Sequence, residues 1–88
     1  MSLTIRERIA AWGEQNDEEL PLWADCDDAI VGIASRSGMA DAVVYDYEKL
    51  VHVFEEQGMS REDAEEWVAY NILGAGIGPS TPLVLFTP

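Results

Sequence analysis

Apolar positions along this chain switch between helical and strand spacing. Ile5, Ile9 and Trp12 share one face of a helical repeat, and Thr4 and Glu7 stand at capping-box spacing ahead of it. A first helix is therefore predicted from Ile5 to about Glu14, followed by an acidic turn from Asn16 to Pro21. Ala29 to Ser35 is rich in β-branched residues and predicts a strand. Cys26, Ile30 and Ile33 also fall four and three apart behind a capping Asp25, so a short helix within residues 25–35 stays open. Arg36 to Asp41 contains Ser37-Gly38 and predicts a hairpin loop, with a second strand over Ala42–Tyr45.

Asp46 is placed to cap a helix running to about Gln57, with Gly58 just past its end. Tyr47, Leu50, Val51 and Phe54 form its inner face; Glu48, His52, Glu55 and Glu56 form its outer face. Ser60 is placed to cap the next helix, with Asp63 three residues on. Its predicted inner face is Ala64, Trp67, Val68 and Asn71; Glu62, Glu65 and Glu66 lie outside, and Gly74 stops it. A glycine-rich connector then leads to a third strand over Pro82–Phe86. The order α-β-β-α-α-β predicts an α+β fold: a three-stranded antiparallel sheet with helices packed on one face. Residues 1–88 make a single domain, with a helix and acidic turn over 1–26 and the α+β core over 27–86.

Charge changes this picture. Seventeen acidic residues against five basic ones give a net charge of −12. With 48% of residues hydrophobic, the chain is not a disordered acidic tail. Such a balance argues against a direct grip on nucleic acid or anionic lipid. The acids are grouped: seven lie between Arg8 and Arg36, nine lie between Asp41 and Glu66, and none follows Glu66. That uncharged end is broken by Asn71, Gly74, Gly76, Gly78, Pro79 and Pro82 into pieces too short to span a bilayer. A single cysteine rules out an internal disulfide and, with no signal-like start, the expected location is the cytoplasm.

No catalytic or metal-binding set emerges. His52 sits on an outward helix face among glutamates, without a nucleophile nearby in sequence. Cys26 lies between Asp25 and Asp27, which disfavours a thiolate, so it reads as a small apolar core residue. Asp25, Asp27 and Asp28 lack the later positions of a calcium loop, where Ala29 and Ile30 stand instead. One His and one Cys are too few for zinc. Gly74-Ala75-Gly76-Ile77-Gly78 follows a helix and has Pro79 where a dinucleotide fingerprint needs glycine. It reads instead as a helix stop followed by backbone that needs positive φ. No cofactor is expected.

Asp28-Ala-Ile-Val-Gly-Ile33, Val44-Tyr-Asp-Tyr-Glu-Lys-Leu50, Gly58-Met-Ser-Arg-Glu62 and Tyr70-Asn-Ile-Leu-Gly-Ala75, with Gly78 and Thr81-Pro82, resemble a family of small acidic proteins of bacteriophage and prophage genomes. The resemblance covers roughly residues 27 to 86 and leaves out the acidic N-terminal third. It implies an accessory protein of phage type, working in the host cytoplasm, with no catalytic residues to carry over.

Two functions follow as expectations. In the first, Glu48, Glu55, Glu56, Glu62, Glu65 and Glu66 present a negative surface to a protein partner, such as a basic nucleic-acid-binding host or defence protein. Asp46, Ser60, Trp67, Asn71 and Gly74 are then structural, Asn71 as a buried amide pinning the glycine-rich loop. In the second, the chain is an assembly module that self-associates through its uncharged C-terminal segment. Monomer and homodimer both stay open. A purely solubilising or salt-adaptive acidic surface is the plain alternative to the first, and an enzyme is the weakest reading.

Overall fold

The computed structural model describes residues 2–74, 76, 78 and 80–88. Helix α1 (Ile5–Asn16) opens on the expected capping box, with the Thr4 hydroxyl accepting from the Glu7 amide and the Glu7 carboxylate accepting from the Thr4 amide. It runs two residues past Glu14, to Asn16, and closes with Asp17 in the left-handed region at φ 54°. There the amide of Glu18 donates to the Gly13 carbonyl at 2.8 Å. A Cβ on Gly13 would lie 2.5 Å from the Glu18 carbonyl oxygen, so this close return of the chain requires glycine.

Of the two readings of residues 25–35 the strand holds: Ile30 and Ile33, which marked the helical alternative, lie in it, and Asp25 caps no helix. Asp27–Ala29 forms one 3₁₀ turn, and strand β1 (Ile30–Arg36) follows directly. Ser37 and Gly38, the latter at φ 79°, turn the chain into β2 (Met39–Asp46). Asp46 caps α2 (Tyr47–Glu56) by accepting from the Lys49 amide at 3.0 Å, and Gly58 follows at φ 104°. Ser60 caps α3 (Arg61–Val68) by accepting from the Asp63 amide. Strand β3 is Leu83–Leu85.

The fold is α+β, with β2 at the centre of a three-stranded sheet. The sheet is mixed, which corrects the expectation of antiparallel pairing throughout. β1 and β2 run antiparallel, with Ile33 opposite Val43 and Ala34 opposite Ala42. β3 runs parallel to β2, with Val44, Tyr45 and Asp46 opposite Leu83, Val84 and Leu85. Parallel neighbours need a long crossover, and α2 and α3 provide it.

The core lies between the helices and one face of the sheet. Val43 and Tyr45 point into it from β2, joined by Ile9, Leu50, Val51, Phe54, Ala64 and Val68 from the helices. Ile30, Ile33 and Val84 pack against the same cluster. The N-terminal third is tied to this body. Arg6 holds Asp27 through two hydrogen bonds of 3.0 and 2.7 Å and also donates to the Trp23 carbonyl.

Two residues expected on the inner face of α3 lie outside the core. Trp67 is 44% exposed, its ring tilted against Phe54 at 5.9 Å. Asn71 is exposed and donates to the Trp67 carbonyl one turn back, so it is not a buried amide. For Asn71 the cause is a π turn over Ala69–Leu73, closed by the Gly74 amide donating to the Ala69 carbonyl at 3.1 Å; Trp67 precedes that turn, on regular helix at the edge of the buried row. The buried row runs Ala64, Val68, Ile72, and the widened turn leaves Asn71 to solvent. Gly74 ends the helical segment as expected; a Cβ there would stand 3.0 Å from the Tyr70 carbonyl oxygen. Of the connector that follows, Ala75, Ile77 and Pro79 lie outside the described residues, and Gly78 has φ 118°.

Candidate functional site

The packing of α2 against α3 brings three of the predicted glutamates together. Arg61 joins them: its guanidinium lies 2.8 Å from Glu48, 3.9 Å from Glu55 and 3.6 Å from Glu65. Glu48, above all, lifts the pKa of that guanidinium further above its ordinary value. His52 Nε2 stands 2.8 Å from Glu56, one turn along the same helix. Among the described residues, Glu62 and Glu66 have no cationic partner and stand exposed. The six carboxylates thus divide into an array ordered by Arg61 and His52 and an unneutralised pair on α3.

Beside that pair lies a feature the charge pattern did not reveal. Asp63, Glu66, Trp67, Tyr70 and Asn71, with Met59, line a shallow hollow of about 320 Å³. Tyr70 is 80% exposed, far more than a ring of its size needs to be on a folded surface. Its sequence signal was spacing alone: residues 63, 66, 67 and 70 share one helical face.

The N-terminal acids take a separate place. A groove of about 700 Å³ has a floor of Ile9, Gly13, Leu20 and Leu22 and a rim that includes Glu14 and Glu19. Glu18, which also lines the groove, lies against Asp41. Burial, reinforced by Asp41, pushes the Glu18 carboxyl above its ordinary pKa, and one of its oxygens is buried without a hydrogen-bond partner. Asp41 goes the other way, held low mainly by the Ser35 hydroxyl at 2.6 Å, with the Trp12 indole at 3.3 Å.

Cys26 is fully buried, and that burial, followed by the charges of Asp25 and Asp27, raises its thiol pKa. A thiol so placed is a poor nucleophile. Among the described residues no three His, Cys, Asp or Glu side chains gather as a metal-binding group. No helix among them is long and apolar enough to cross a membrane. In comparison with known proteins, no family model, curated sequence or solved structure matches this chain.

Proposed function

We propose that this protein acts by binding, as an acidic accessory protein of phage type whose α2–α3 surface docks on a basic protein. The targets that fit are nucleic-acid-binding host or defence proteins, whose phosphate-binding groove such a surface would occupy. One observation carries the reading: an unneutralised carboxylate pair adjoins an exposed aromatic pair. Glu62 and Glu66 supply long-range attraction, while Trp67 and Tyr70 offer ring faces over which an arginine or lysine can settle. Aromatic anchors beside charge are the usual centre of binding energy at an interface. The glutamates around Arg61 form the ordered flank of this surface.

The test is capture from a host lysate at low salt, comparing wild type with a Glu62→Gln, Glu66→Gln, Tyr70→Ala triple variant. The expected result is retention of basic nucleic-acid-binding proteins, released by salt and by added DNA, and lost in the variant. Equal retention by the variant, or indifference to DNA, would overturn the reading.

A further inference from the structure

The sheet has a second face that no helix covers. Strand side chains alternate, so with Ile33, Val43, Tyr45 and Val84 in the core, Gly32, Ala34, Ala42, Val44, Leu83 and Leu85 lie on the opposite side. Gly32, Val44 and Leu83 stand in one row across the three strands. Strands apolar on both faces are the pattern of a sheet buried on both faces; among the described elements the helices cover only one, and on the other Ala42 is buried while the flanking side chains are open. Leu83 and Leu85 are 51% and 44% exposed, and Met39 at the hairpin end is 59% exposed. Ala42 lies in a hollow of about 160 Å³ beside Ala34, Met39 and Leu83.

We propose that this face is covered by a second copy of the chain, packed face to face about a two-fold axis. Three observations select that occupant. The first is area. The chain exposes 6045 Å². A compact monomer of 9.7 kDa exposes about 5,100 Å² by surface–mass scaling, so the chain as a whole carries a surplus of about 900 Å², to which Met39, Leu83 and Leu85 of this face contribute together with exposed side chains elsewhere such as Val31 and Tyr70. A stable interface takes about 800 Å² from each partner. The second is charge. The face holds none of the six glutamates of the α2–α3 surface, so two copies of charge −12 can meet there without burying them. A basic partner would be drawn to the acidic helices instead. The third is self-complementarity. Arg36 lies at one end of the β1–β2 pair and Asp46 at the other, and a two-fold axis that reverses the strands sets each opposite its counterpart. Gly32, Ala34 and Ala42 are small enough to let the two sheets approach, and the leucines of one copy have the hollow of the other to enter.

This interface takes two residues from β3 and the rest from β1 and β2, so it is not the C-terminal segment acting alone. It is also independent of the acidic surface, and salt separates the two. Screening strengthens the joining of two like-charged copies and weakens the capture of a basic partner.

Sedimentation equilibrium over a range of concentrations, at low and moderate salt, tests it. Wild type should move to twice the monomer mass, more readily at moderate salt. Leu83→Asp and, separately, Met39→Asp should stay monomeric with unchanged circular dichroism, since both sites are exposed in the single chain. Tyr70→Ala should dimerise like wild type. A strictly monomeric wild type at millimolar concentration would overturn the proposal. So would open-ended assembly, or dimers lost in Tyr70→Ala and kept in both sheet-face variants.

Discussion

The amide of Trp23 donates to the hydroxyl of Tyr45 at 2.8 Å. Tyr45 is fully buried on the central strand, and burial raises its phenol pKa. The bond therefore fastens the N-terminal segment to the middle of the sheet. Tyr45→Phe keeps the ring and removes the acceptor, leaving a partly buried amide unpaired. Such a change costs about 1–3 kcal/mol. Urea unfolding should show a lower midpoint with an unchanged slope; an unchanged midpoint would mean that water replaces the hydroxyl at no cost.

Two carboxyls respond to pH in opposite directions. Asp27, bonded by Arg6, has its pKa lowered, so its contribution is present above the unfolded value and fades as pH falls through the folded one. Glu18 has its pKa raised by burial, so its contribution is favourable in acid and is lost as pH rises through the folded value. Glu18→Gln mimics the protonated form and can donate to Asp41. It should raise the melting temperature at neutral pH and change it little well into the acid range. Asp27→Asn should lower the melting temperature at neutral pH, and that deficit should shrink on acidification. Thermal melts of both variants across pH check the pair, and parallel curves would contradict the assignment.

Gly13 is where sequence pattern and structure part most sharply on α1. Nothing in the apolar periodicity marks it, yet a Cβ there would meet the Glu18 carbonyl oxygen at 2.5 Å. That atom is backbone, so it cannot swing aside as a side chain would. Gly13→Ala gains helix propensity but must push the returning chain away. Overpacking of this kind typically costs about 1–3 kcal/mol. The expected outcome is a lower urea midpoint; an increase would show that the return loop relaxes freely.

What was legible in the sequence was local. Thr4 with Glu7, Asp46 and Ser60 act within four residues of themselves, and each caps the helix it was expected to cap. The inner face of α2 followed from spacing for the same reason. The direction of β3 was not legible, because it depends on how the chain crosses back after two helices. Asn71 left the predicted inner face because one widened turn after Val68 changes the register, which a fixed 3.6 repeat cannot anticipate, whereas Trp67, ahead of that turn, stands at the edge of the Ala64–Val68 row with its ring against Phe54. The acidic surface was readable residue by residue. Its partial neutralisation was not, since Arg61 and Glu48 are thirteen positions apart and meet only when α2 and α3 pack.

Arg61 is accordingly the cation on which the stability of the acidic surface turns. It faces Glu48, Glu55 and Glu65 together, on a protein of net charge −12. Each pair alone is exposed and weak, but removing the shared cation leaves three carboxylates facing one another across the two helices. Arg61→Gln should lower the melting temperature most at low ionic strength. The difference should narrow as salt screens the glutamates over a Debye length of about 8–10 Å. Glu62→Gln, which removes a carboxylate without a cationic partner, should leave stability unchanged or raise it slightly at low salt. Melts of both variants over a salt series decide the matter: a deficit in Arg61→Gln that does not depend on salt would assign its role to packing of the arginine stem against the helices rather than to charge.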